Sequence, residues 1–391
     1  MSLLNRPSLG RPRRITISRK CYTTSMKNIK LKSKHYMPAE PVIFDDEFEA
    51  PRLGANWTVS PGRGRYSLAE KPGCLRYVID ADHTARLAGS GQNYVKAIWL
   101  VRSFSGQRWI LKTNVTYRLR QGPPTNNRNM HFVVRAPGVN GKVLARADRS
   151  VGVNDTNRGS NSMHFAVGKS VKTLYFPNSP RPLPAEQWHF EIERDHNYVA
   201  IRAINANRPT VQHVCEYEFP RGTFENRQEI EIEGDGWHGS NNPPGYVDFD
   251  FIKAGRLVPI KFQDVSVGYI DGVGRAIAKK LEARGVKTIG DMAATDVLAL
   301  NAKMRISPFN LYAWKKKAVL ARETKMDRRP FAKISRKRLG EIAVMPDREI
   351  ARITGQGLGT VLGLKMKIAT LLVSLDNALI KSIIFARLAD E

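Results

Sequence analysis

Ile270-Asp271-Gly272-Val273-Gly274 is followed at helical spacing by Ala278 and Leu281 and closed by Gly285-Val286-Lys287-Thr288-Ile289. The spacing predicts a helix, a tight Gly-x-Gly turn and a second helix. Glycine at 272 and 274 allows positive φ and lets the backbone approach a bulky anion, and the small Ala278 lets the helices cross closely. A second copy lies 85 residues on, in Gln356-Gly357-Leu358-Gly359-Thr360-Val361-Leu362-Gly363-Leu364-Lys365-Met366. In that register it repeats both glycines, the apolar residue between them, the small residue at 278/363 and the apolar residue at 281/366. The plainer reading is that these glycines stop helices in a small α-domain that binds nothing.

Both copies resemble the helix-hairpin-helix module, the first from about Val265 to Ala294 and the second in degenerate form. The resemblance implies that hairpin amides, here those of Gly272, Val273, Gly274, Gly357 and Gly359, grip a nucleic-acid backbone. It further implies that Arg275, Lys279 and Lys280 add longer-range attraction. Thr288 and Asp291 form a capping-box pattern that starts the next helix. Asp291 stands close to where DNA glycosylases of this class place a catalytic Asp. It reads as a cap, because the chain has no room for the long helical domain that builds a base-flipping pocket.

The charge distribution agrees. The 391 residues carry a net charge of +27; residues 1 to 39 contribute ten basic residues and no acid, and residues 256 to 391 contribute 26 basic against 13 acidic. Basic ends on a near-neutral middle point to a polyanionic partner, DNA ahead of RNA, rather than to a membrane. Residues 315 to 338 hold 11 basic residues, among them Lys315, Lys316, Lys317, Arg336, Lys337 and Arg338, with Trp314 and Phe331 set beside them. That stretch reads either as a strip along a phosphate backbone or as a solvated linker, at 323 to 338, between the two hairpin units. Residues 1 to 40 form a basic tail with too few large apolar residues to build a core, either a nucleic-acid arm or a mitochondrial transit peptide. Cys21, Cys74 and Cys215 are too few and too far apart for a disulfide framework or a zinc site, so a reducing compartment or a virus particle is expected, with no cofactor and no membrane span.

From Val42 to about Gly255 short runs rich in Val, Ile, Tyr, Phe and Trp alternate with Gly, Pro and Asn clusters, which predicts an antiparallel sandwich. Phe44-Asp45-Asp46-Glu47-Phe48 leading to Trp57, Ser67 to Arg76, Trp188 opening a strand, and Val247-Asp248-Phe249-Asp250-Phe251 resemble concanavalin A-like lectin and glucanase jelly rolls. The resemblance implies a sugar-binding concave face and, in some members, calcium where the first and last strands meet. Asp45, Asp46 and Glu47 facing Asp248 or Asp250 are the candidates for that ion, against a plain acidic surface strand. Glu229, Glu231 and Glu233 alternate on one strand as glycoside hydrolase carboxylates do, but their place near the end of the domain favours a solvated strand face. Trp237 and His238 are the candidates for stacking on a sugar.

The fold class expected is therefore an all-β jelly roll followed by an all-α pair of hairpin units at 256–322 and 339–391. The function expected is sequence-independent, non-enzymatic DNA binding with the jelly roll as adaptor. Two other readings stand beside it: a structural component of a virus particle or organellar ribonucleoprotein that contacts protein subunits, and a carbohydrate-binding protein or degenerate glycanase.

Overall fold

The computed structural model describes residues 41–60, 65–79, 99–118, 128–137, 142–151, 161–176, 185–208, 211–236 and 245–388. The basic tail and the sugar-stacking candidates Trp237 and His238 lie outside these residues.

Two antiparallel sheets form a β-sandwich. The first joins β13 (Gln212–Glu218), β12 (Tyr198–Asn205), β11 (Glu186–Asp195), β6 (Arg108–Arg118), β15 (Gly245–Arg256), β4 (Leu75–Ile79) and β3 (Arg65–Ser67) in that order, with β1 (Val42–Asp46) also on β15. The second joins β10 (Ser170–Tyr175), β9 (Asn161–Val167), β8 (Lys142–Val151), β7 (Arg128–Ala136), β14 (Arg227–Gly236), β5 (Trp99–Ser105) and β2 (Trp57–Ser60). Alternation sets the register: Ile230 and Ile232 are fully buried between the sheets, so Glu229, Glu231 and Glu233 face outward. Trp109, Trp188, Phe132, Phe165, Phe190 and Phe249 fill the space between the layers.

That outward face is not a solvated acidic strand. Glu231 is 7% exposed and pairs with Arg135 at 2.5 Å, and Glu229 accepts from Arg227 at 2.9 Å and Ser103 at 3.2 Å. Arg135 reaches Glu231 from the neighbouring β7, and Arg227 stands two residues from Glu229 on the same face of β14. The calcium candidates likewise have cationic partners. Asp45 faces Lys253, whose Nζ lies 2.7 Å away, Asp46 accepts from Arg102 and Trp57, and Asp248 accepts from Arg76 and Lys71. Among the described residues no group of three or more His, Cys, Asp or Glu could hold a metal ion. His131 bonds Asp148 at 2.7 Å and His189 bonds Asn114 at 2.8 Å, as strand residues should, while His196 sits in the β11–β12 turn with φ +57°.

Residues from Ile260 to Leu388 form a second, helical core. It contains α1 (Arg275–Glu282), α2 (Ile289–Ala294), α3 (Val297–Met304), α4 (Pro308–Glu323), α5 (Leu339–Val344), α6 (Asp347–Thr354), α7 (Leu358–Ser374) and α8 (Asn377–Ser382). The element before the first Gly-x-Gly turn is a single 3-10 turn, Val267–Tyr269, and not a helix. The stretch 323 to 338 is not a solvated linker: Met326, Phe331 and Ile334 are buried in the helical core, the last two in a 3-10 segment, Arg329–Ile334. Leu371, Leu375, Leu379 and Ile383, spaced every four residues, are buried within the helical domain, but α7 ends at Ser374 and they do not form one helical stripe. Asp376 accepts from the Ala378 N–H at 2.7 Å and starts α8 as a new helix.

The helical domain lies on the outer face of the first sheet. Arg338 pairs with Glu191, Arg202 donates to Glu341 and to the Arg336 carbonyl at 3.2 Å each, and Arg336 stacks on the Tyr198 ring at 4.2 Å.

Candidate nucleic-acid interface

The first Gly-x-Gly segment is built by one close turn. The Val273 N–H donates to the Ile270 carbonyl at 2.9 Å and Gly272 takes φ +89°, a conformation that costs a side-chain-bearing residue about 1 kcal/mol or more. A β-carbon on Gly272 would also stand 3.3 Å from Trp314 Nε1. Val273 is buried and pins the turn to the core. Gly274 departs from the expectation of positive φ: it is extended at φ −71°, exposed, and open for 4 Å around its Cβ position. It is the N-cap of α1, and Arg275, Lys279 and Lys280 are exposed along that helix.

The second copy has a different register from the one its glycine spacing suggests. Gly355 holds the left-handed conformation, φ +73°, and Gly357 is the N-cap of α7. Gly272 and Gly274 therefore correspond to Gly355 and Gly357, 83 residues on, while Gly359 lies inside α7. In this register Ala278 and Leu281 match the buried Val361 and Leu364.

A third turn lies between them and carries no glycine. Arg305 is left-handed at φ +51° and Ser307 is the N-cap of α4, 33 residues after the first turn and 50 before the last. Hydrogen bonds repeat with these offsets: Ala278 N–H to Gly274 O, Leu311 N–H to Ser307 O, Val361 N–H to Gly357 O. The sequence does hold a signal for it, an unbroken 50-residue offset that carries Ile289-Gly290-Asp291 onto Leu339-Gly340-Glu341, Leu300 onto Ile350 and Lys315 onto Lys365. A search for paired glycines cannot see it, because Arg305 and Ser307 stand where the other copies have glycine.

These three helices share an electrostatic feature. α1, α4 and α7 start with no side-chain cap and no acidic residue in the first turn. The others supply their own anions: Asp291 accepts from the Lys287 and Thr288 N–H groups at 2.9 Å, Asp296 caps α3, Glu341 accepts the Arg338 N–H, Asp376 caps α8, and α6 has Asp347 and Glu349 in its first turn. Asp291 is thus a cap, its carboxyl held below the ordinary range by those backbone donors against the opposing effect of burial. The first N–H groups of α1 and α7 have no intrahelical acceptor; α4 begins with Pro308, which has no N–H, so its first free donor is that of Phe309. The segments that carry them are exposed.

The basic residues divide into two sets. Arg275, Lys279, Lys280 and Lys316 are exposed. Lys315 donates to the Thr295 carbonyl at 2.7 Å, and Lys317 reaches back to the Asp271 carboxylate at 2.7 Å, fastening the first turn to α4. Arg336 and Arg338 are turned towards the sandwich, where Glu218 lies 3.7 Å from Arg336 and Glu191 pairs with Arg338, and Lys337 between them is half-buried. These two arginines serve the domain interface.

No protein-family model matches the chain, and no curated protein matches it. Among solved structures it is similar to the CBM2 module of the evolved Dit of Lactobacillus casei BL23 phage J-1, with 11% identity, a TM-score of 0.38 and coverage of 55% of this chain and 95% of that one. It is also similar to lectin I of Ulex europaeus, with 10% identity, a TM-score of 0.35 and coverage of 54% and 95%, and to Bacillus licheniformis β-glucanase, with 10%, 0.34, and 55% and 97%.

Proposed function

We propose that this chain is a non-enzymatic, sequence-independent DNA-binding protein that holds backbone phosphate at the helix-hairpin-helix turns of its helical domain, with the sandwich as adaptor. The observation that carries this reading is the repetition of one uncapped helix start behind a left-handed residue, at Gly274, Ser307 and Gly357, in a domain whose other helix starts are supplied with anions by their own side chains. A helix start left without an anion favours an anion from outside. Hairpin amides reach phosphates, and phosphates carry no sequence, so base readout is not expected.

The test is duplex DNA binding by fluorescence anisotropy with the full chain. Gly274 and Gly357 are extended, exposed and open, so Gly274→Val with Gly357→Val keeps the fold and puts a branched side chain where phosphate must approach. Binding should weaken by roughly 1 to 3 kcal/mol on every sequence tried, because hydrogen bonds to a charged group no longer form. Gly272 is left unchanged because its φ and Trp314 make any substitution a folding variant. A folded double variant that binds as tightly as the parent would refute the hairpin reading.

A further inference from the structure

Between the sandwich and the helical domain lies a cavity of about 500 Å³ whose walls include Arg194, His196, Arg221, Thr223, Phe224 and Arg336. Its floor is unusual in charge. Arg194 is 2% exposed, and every acceptor it reaches is a neutral carbonyl: His196 at 2.7 Å from Nε, and Glu225 at 2.9 Å and Gly106 at 3.3 Å from Nη1. Its Nη2 has no acceptor among the described residues. Burial pulls this guanidinium down to about 10, and no carboxylate opposes the shift. A buried cation without a counter-charge is costly to keep.

The rim repeats the imbalance. Arg221 is exposed and has no ion pair among the described residues. Arg336 lies over the Tyr198 ring, its Nε has no hydrogen-bond partner, and its one carboxylate, the exposed Glu218, is 3.7 Å away. Asp195 also lines the cavity, but Arg108 takes it at 3.0 Å. Arg194, Arg221 and Arg336 therefore line one space whose carboxylates are either taken or at the margin, and guanidinium donors match a phosphate oxygen pair. The volume falls in the range of small-molecule sites and exceeds what a bare phosphate fills; the Phe224 ring, whose centre lies 5.3 Å from the Arg194 guanidinium carbon, is an apolar part of the wall for an attached body.

We propose that this cavity binds a small phosphomonoester, its phosphate held by Arg221 and Arg336 in front of the Arg194 guanidinium. A ligand there touches both domains and fastens them together. The site is independent of the hairpins, none of whose residues line it.

The test is isothermal titration of the full chain, at fixed ionic strength, with inorganic phosphate, glucose 6-phosphate and AMP. Saturable binding is expected, with at least one ester tighter than inorganic phosphate; which ester gains identifies the body the cavity fits. Arg221→Gln should weaken that binding roughly tenfold by removing one charge-assisted hydrogen bond, and Arg336→Gln should do the same. Arg208→Gln removes an equal charge from the exposed turn at the other end of β12 and should leave binding unchanged. Absence of saturable binding overturns the proposal. So do equal losses in Arg221→Gln and Arg208→Gln, which would mean diffuse attraction, and so does equal affinity for all three ligands.

Discussion

Glu191 and Glu193 stand two residues apart on one face of β11, against the helical domain, and ionise in opposite directions. Burial pushes Glu191 up, but Arg338, ahead of His189, pulls it further down, so its carboxyl lies well below the ordinary range. Glu193 is pushed by burial from 4.5 up to about 7, because Arg202 only partly opposes it. The partner explains the difference. Arg202 gives its Nη donors to Glu341 and to the Arg336 carbonyl, and Glu193 Oε2 has no hydrogen bond. Arg202 itself is raised, despite its burial, because Glu193, Glu341 and Glu191 all act on it. The folded state therefore holds the Glu193 proton to higher pH than the unfolded state does. Stability from this group is fully present below about 4.5 and is lost as pH rises through about 7. Glu193→Gln is expected to stabilise the protein at pH 8 by roughly 1 to 3 kcal/mol and by clearly less at pH 5, read from urea denaturation at the two pH values. An equal gain at both would assign the effect to packing. Glu191 behaves oppositely: its contribution is present above the ordinary carboxylate range and is lost on acidification.

At the scale of the element, the 50-residue repeat is held by two equivalent lysines. Lys315 donates to the carbonyl of Thr295 at the end of α2, and Lys365 donates to those of Ala343 and Met345 at the end of α5, at 2.9 and 2.5 Å. Each ammonium sits on the carbonyl end of a short helix, where the helix dipole favours it. Lys365→Met keeps the buried stem and removes these bonds. It is expected to cost roughly 1 to 3 kcal/mol in thermal or urea unfolding, and a loss near zero would mean that water replaces the ammonium freely. Elements also differ in how plainly the sequence declares them. Leu75–Ile79 and α4 from Pro308 are legible because apolar period and a proline start coincide with the element. β8 is not, since Leu144 is the one large residue it gives to the core, beside the small Ala145 and Ala147, and Arg146, Asp148 and Arg149 interrupt its apolar alternation. Glycine spacing alone places the second Gly-x-Gly turn two residues late, because three glycines, at 355, 357 and 359, offer two registers that only φ tells apart. The pairing of Glu231 with Arg135, and of Arg338 with Glu191, depends on strand register and domain docking, which local pattern does not encode.

At the scale of the molecule, a strongly basic chain does not use all of its charge in the same way. Arg336 and Arg338 are as basic in sequence as Arg275, Lys279 and Lys280, yet the first two face sandwich carboxylates and the last three face solvent. Duplex DNA binding releases counterions in proportion to the phosphates that cations neutralise, so the slope of log affinity against log salt separates the two sets. Arg275→Gln with Lys279→Gln and Lys280→Gln should flatten that slope by about 0.9 for each phosphate that no longer meets a cation. Arg338→Gln should leave the slope nearly unchanged while lowering the unfolding temperature, because it strips Glu191 of its cation in a buried setting. The hairpin variant Gly274→Val with Gly357→Val belongs to a third class: it should lower affinity with little change of slope, since neutral amides release few counterions. Binding measured from low to moderate salt on the full chain resolves all three. If Arg338→Gln flattens the slope as much as the triple variant does, the interface arginines are open to DNA, and the division of charge between docking and binding drawn from their ion pairs is wrong.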